Sequence, residues 1–240
     1  LRSGKRISIL CYGGRGGGRR HRAGLLDLGY MLKFELQQTR SRGSSDLVTA
    51  REWSSVWAHQ HLRHHYQAFY LLAIFLDLVK RLSVEADLQD PHESDDQEQE
   101  GVFTVLSNAV FHLDERCSRA DSNITINLHL VFFLIKLIYH SGIYPDTKSC
   151  LECHSSLVKA RGELTFLLEQ GGFLCPACQT ESGNEWGREL WTNLHEIVQV
   201  TYQEISNYEQ RQIAWPVLEI LYRYLSHHHN LRLSSLAKMP

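Results

Sequence analysis

Cys150-Leu151-Glu152-Cys153 and, after 21 intervening residues, Cys175-Pro176-Ala177-Cys178 decide how this chain reads. Two residues between paired cysteines let both sulfurs of a tight knuckle point at one ion. Two such knuckles supply four thiolates, the tetrahedral set that Zn²⁺ takes. Gly171-Gly172 gives the backbone freedom to turn into the second knuckle. Phe166-Leu167-Leu168 and Phe173-Leu174 predict short strands on either side of that turn. A closed four-thiolate set leaves no position for water, so the spacing predicts one structural, not catalytic, zinc per chain, held by Cys150, Cys153, Cys175 and Cys178. His154 is a rival ligand to Cys153. The same cysteines could instead form disulfides, which need an oxidising compartment, or a redox pair, which usually sits at a strand-to-helix turn.

A chain of 240 residues holds one large domain or two modest ones. Its 43% hydrophobic and 22% charged residues are globular values. No run of eighteen apolar residues suits a membrane span, and the richest stretch, Ala68 to Val79, is shorter and carries Asp77. The chain begins at Leu1, in what reads as the middle of a domain, so a signal peptide ahead of it stays open. Cys11 and Cys117 read as ordinary buried or half-buried thiols, and the sequon Asn123-Ile124-Thr125 as chance in an intracellular protein. A net charge of −2 hides an asymmetry. Residues 1–45 carry ten basic residues against two acidic ones, a balance of +8, whereas residues 85–100 carry eight acids and no lysine or arginine. The first segment favours polyanions and the second repels them.

Residues 5–12 predict a strand ending at a glycine run. Gly13 to Gly18, with Arg15, Arg19, Arg20 and Arg22, reads equally as a solvated hairpin loop or as a phosphate-tracking arm. It is neither a Walker A loop nor a dinucleotide fingerprint, because no Gly-Lys-Ser/Thr follows and no small-residue helix opens after it. Residues 28–38 alternate, with Leu32, Phe34 and Leu36 on one face, and Leu47 to Ala50 predicts one more short strand. From Ser54 the period becomes helical, with Leu62, Tyr66, Phe69, Tyr70, Ala73, Ile74, Leu76 and Val79 as the apolar face over 60–82. His59, His61, His64 and His65 read as a solvated or capping cluster before a metal site. Residues 85–100 are too poor in apolar side chains to offset ordering, and predict a mobile surface loop. Helices are predicted over 101–117, 124–141 and 185–205, the second being the core helix. A last helix runs from about 209 to 227, with Pro216 either kinking it or lying in its first turn, before a short basic tail.

Four stretches together resemble the RecO family of bacterial recombination mediators. They are Gly4-Lys5-Arg6-Ile7-Ser8-Ile9 with the basic loop to Arg22, and Gly142-Ile143-Tyr144-Pro145-Asp146 leading into the first knuckle. The other two are Gly171-Gly172-Phe173-Leu174-Cys175 and the closing Leu231-Arg232-Leu233-Ser234-Ser235. The resemblance implies an α+β chain: an N-terminal OB-fold-like barrel over 1–52, lacking its first strand or two, then an all-α domain over 53–240. A zinc knuckle is inserted in the latter at about 145–181. It implies a cytoplasmic, nucleoid-associated protein that is not an enzyme and has no membrane partner. Such a protein binds single- and double-stranded DNA, binds RecR, contacts the C-terminal tail of single-stranded-DNA-binding protein, anneals strands and helps load RecA. The expected DNA-binding residues are Lys5, Arg6, Arg15, Arg19, Arg20, Arg22, Lys33, Arg40 and Arg42. The acidic insert departs from the family pattern.

Two other classes compete. A zinc nucleotide deaminase needs His-x-Glu and Pro-Cys-x-x-Cys with one open metal position, whereas Pro176 lies inside the second pair. A zinc-ribbon module that binds only protein would not retain DNA at low salt.

Overall fold

The computed structural model describes residues 6–11, 27–38, 48–83, 100–119, 124–179 and 185–230. The acidic insert, the glycine-rich basic loop and the closing tail lie outside the described residues, apart from Glu100 and Cys11 at their edges.

The N-terminal part is a three-stranded sheet in the order β1-β3-β2, with β1 Ile9–Leu10, β2 Met31–Gln38 and β3 Val48–Trp57. β3 pairs parallel with β1 and antiparallel with β2. Where a barrel was expected, the described residues form this open three-stranded sheet and no closed barrel. β3 runs through Ser54, where a helical period was expected, and a boundary drawn at residue 52 falls inside it. Its polar residues Glu52, Ser54 and Ser55 are paired in register with β2, with only Ala50 and Trp53 buried.

A 3₁₀ turn at Leu62–His64 leads into α1, Tyr66–Leu82. The Leu62 amide donates to buried Asp114 Oδ1 at 2.9 Å, which holds that turn on α2, Glu100–Cys117. The phase of α1 differs from the expected one. Its buried residues are Ala68, Leu71, Leu72, Phe75 and Leu78, whereas Tyr66 is 80% and Phe69 38% exposed. The segment is apolar nearly all round, so periodicity alone leaves its inward face undetermined; packing against α2 and α3 selects it.

α3, Ile126–His140, is the core helix: Leu130 to Ile135 are each 0% exposed, and Phe75 of α1 stacks on Phe133 at 4.0 Å. Gly142 (φ 72°) ends it, and the Ile143 amide returns to the Ile138 carbonyl at 3.3 Å, the Schellman pattern that glycine permits.

After the knuckle come α4, Gly187–Ile197, and α5, Trp215–His228. α4 stops eight residues before the expected end. Lys136 Nζ takes the Val198 carbonyl at 2.7 Å, and a Thr201–Glu204 capping box starts a separate 3₁₀ segment, Tyr202–Tyr208. Residues 209–214, expected as helix, precede α5, and Pro216 lies in its first turn, where its missing N–H costs nothing. Among the described residues no helix is long and apolar enough to cross a membrane.

The sheet meets the helices through side chains. Arg63 bonds Asp27 and, at 2.9 Å, the Leu28 carbonyl, while Trp57 meets Phe111 edge-on at 4.3 Å. Gly29 (φ 76°) lies so close to Leu72 that a Cβ would come within 2.8 Å of its Cδ2.

Candidate metal centre and nucleic-acid surface

The two Cys-x-x-Cys turns meet because of one strand the pattern did not announce. β4, Asp146–Cys150, pairs parallel with β6, Gly172–Leu174, while β5, Thr165–Leu167, pairs antiparallel with β6 as a hairpin. Parallel neighbours end on the same side of a sheet. Cys150 closes β4 and Cys175 follows β6, so both turns emerge together. The first turn is fixed by the His154 amide on the Cys150 carbonyl (3.0 Å) and the Cys150 amide on the Ser155 carbonyl (2.9 Å). The second is fixed by the Cys178 amide on the Cys175 carbonyl at 3.0 Å.

The glycine pair serves two ends. Gly171 (φ 63°) makes the turn under the Tyr224 hydroxyl, and Gly172 leaves room for Leu151, which a Cβ would meet at 2.8 Å.

The four Sγ atoms lie within 4.8 Å of one another, with Cys153 and Cys175 3.6 Å apart. Zn–S bonds of about 2.3 Å put tetrahedral sulfurs about 3.8 Å apart, so the cluster fits one ion. All six cysteines are free thiols, which sets aside the disulfide use of the pattern. The Cys175 amide donates to Cys150 Sγ at 3.3 Å and ties the two knuckles together. Hydrogen bonds from the Ser155 hydroxyl and amide bring the Cys153 thiol down to about 6, while sharing a proton with Cys153 lifts Cys178 to about 12. Cys150 and Cys175 are buried and Cys153 is exposed, so the cluster opens to the surface on one edge. Among the described residues these four form the one convergent group of metal-ligating side chains; His154 and the His59–His65 run do not join such a group. His59 is instead buried with its ring stacked on Trp57.

The knuckle is anchored from outside. Trp191 Nε1 of α4 donates to the Thr147 carbonyl at 2.8 Å, and Tyr224 Oη of α5 to the Ile143 carbonyl at 2.6 Å. Arg188 spans the Ala160 and Gly162 carbonyls.

The family model described as Recombination protein O C terminal matches residues 92–237, well over half of the chain and all four cysteines. The chain belongs to the RecO family. RecO proteins are recombination and repair mediators rather than enzymes, which separates this cysteine cluster from a deaminase centre. No curated protein matches the chain.

Of the basic residues expected on DNA in this RecO chain, two are described. Lys33 is exposed on β2. Arg6 sends its guanidinium to the Lys80 carbonyl near the end of α1, at 3.2 Å. Lys5, Arg15, Arg19, Arg20, Arg22, Arg40 and Arg42 lie outside the described residues. In the helical part, Lys148, Lys159 and Arg161 are exposed, whereas Lys136 is half-buried as the partner of Val198 and serves the fold. Sequence reasoning missed the anchors Trp191 and Tyr224. It had the signal for the Thr201 restart, in Thr201-Tyr202-Gln203-Glu204, a capping-box spacing.

Proposed function

We propose that this RecO-family chain is a DNA-binding recombination mediator that uses its N-terminal segment, through the end of β3 at Trp57, as a basic, OB-fold-like binding domain and the rest as a helical scaffold. The observation that carries this reading is the family match over 92–237, joined to an N-terminal segment with a charge balance of +8. Lys5, Arg6, Arg15, Arg19, Arg20, Arg22, Lys33, Arg40 and Arg42 supply phosphate contacts to single and double strands, as a cationic groove does. The three-stranded sheet and its basic residues are compatible with that reading. The partners are RecR, the tail of single-stranded-DNA-binding protein and, indirectly, RecA, in the bacterial cytoplasm at the nucleoid.

Zinc occupies the cluster of Cys150, Cys153, Cys175 and Cys178 in this reading. When bound it supplies four metal–sulfur bonds and no open position. The chain's own residues do the rest: β4 and β6 aim the thiols, and α4 and α5 brace the strands.

One experiment tests both parts. DNA binding is measured over a salt series on reduced protein whose zinc content is determined on the same sample. The reading expects one zinc per chain and an affinity that falls steeply with salt. A chain that fails to retain DNA at low salt is a protein-binding zinc module instead.

A further inference from the structure

The outer face of α1 carries aromatic rings where a helix on a protein surface usually carries charge. Tyr66 is 80% exposed and Phe69 38% exposed, three residues apart on one face, with Tyr70 one turn beyond Tyr66. The Tyr66 and Tyr70 rings lie nearly parallel, 14° apart in orientation, with centroids separated by 6.3 Å. Tyr66 thus offers its ring to solvent beside a half-buried Tyr70, and exposed aromatic surface of this kind marks a contact site.

The charges around it are compatible with a polyanion. From Trp57 to Leu76 the chain has Arg63 and four histidines and not one carboxylate. Arg63, one turn ahead of Tyr66, is held by Asp27 and the Leu28 carbonyl with its guanidinium 4.5 Å above the Tyr30 ring. A polyanion meets no repelling acid from this stretch.

We propose that the Tyr66–Phe69–Tyr70 face of α1 is a base-stacking platform for single-stranded DNA, a deepening that rests on the DNA-binding reading above. Every base has a π face, so stacking on tyrosine is tolerant of sequence. It is closed to a duplex, whose bases are already stacked. The platform would supply an affinity term that does not depend on salt, beside the phosphate contacts that do.

The test compares wild type with Tyr66→Ala, Tyr66→Phe and Tyr66→Trp on a fluorescent oligo(dT) and on a duplex of equal length, each across a salt series. At 80% exposure Tyr66 can be truncated without disturbing the core. The expected result is a loss of about five-fold or more on oligo(dT) for Tyr66→Ala. The salt slope and duplex affinity should stay unchanged, with binding kept by the phenylalanine and tryptophan variants. Three outcomes overturn the platform: wild-type oligo(dT) affinity in Tyr66→Ala, an equal loss on the duplex, or a loss in Tyr66→Phe as large as in Tyr66→Ala. Normal DNA binding with self-association lost in Tyr66→Ala also overturns it, and assigns the face to a second copy of the chain. A wild-type chain that binds no oligo(dT) removes the DNA-binding reading together with the platform, whereas the outcomes above remove the platform alone.

Discussion

The indole of Trp191 donates its one N–H to the backbone carbonyl of Thr147 at 2.8 Å, tying α4 to the strand that ends in Cys150. Trp191 and Thr147 are both buried, so the carbonyl has no water to fall back on. Trp191→Phe keeps an aromatic ring and removes the donor. It should destabilise the fold by about 2–3 kcal/mol, from the unsatisfied carbonyl and the lost volume. Urea denaturation checks this; an unchanged midpoint would show that the bond carries no net stability.

Replacing Cys175 by serine removes one of four thiols and leaves a set that no longer closes around zinc. The variant should lose its metal and melt lower by about 5–10 °C, since the outside anchors Trp191, Tyr224 and Arg188 must then hold the short strands without the metal. Contacts to DNA from the N-terminal segment should persist in part. Elemental analysis that finds no zinc in freshly purified, reduced wild type would remove the metal from the account.

His129 lies in the core side of α3, and burial, assisted by the nearby Arg116 charge, lowers its pKa to about 4. The unfolded chain takes up that proton near pH 6.5, well before the folded chain does. Stability is therefore full above about pH 6.5, declines as the pH falls towards 4, and levels off below, with a total loss of about 3 kcal/mol from this group. Urea midpoints at several pH values between 4 and 8 should show the decline, and His129→Gln should flatten it. The same slope in the variant would place the pH dependence elsewhere.

Alanine at Arg19, Arg20 and Arg22 tests the arm that the sequence proposes. Each phosphate neutralised on a single strand contributes about −0.7 to the salt slope, so the triple variant should flatten it by about two units and weaken all sequences alike. Unchanged affinity and slope would shift the phosphate contacts to exposed helical-domain residues such as Lys148, Lys159 and Arg161.

What the sequence made legible follows from how local the signal is. The four cysteines are read from spacing alone, because a two-residue turn needs nothing distant to aim its sulfurs, and the structure brings all four together. α3 was legible because it is apolar on every side and so buried whichever way it is rotated. The same property in α1 misled the phase, since which side faces inward depends on α2 and α3. β4 went unseen: Asp146-Thr147-Lys148-Ser149-Cys150 has no apolar alternation and becomes a strand through its partner β6. The polar half of β3 was missed for the same reason. The residues proposed to bind DNA were chosen from charge, and most of them fall outside the described residues.

α5 comes after the knuckle in the chain yet rests on it, through the Tyr224 hydroxyl on Ile143 and the Tyr224 ring against Phe166 at 5.4 Å. Synthesis runs from the N-terminus, at roughly 5–20 residues per second. Thirty-six residues separate Cys178 from Trp215, a head start of about 2–7 seconds at that pace. If zinc fills the four-thiol cluster, the knuckle has that interval in which to take it up before α5 docks. A nascent chain starved of zinc at that moment would offer α5 an unfinished seat, and the cost would be paid in assembly time and misfolding, not only in the stability of the finished protein.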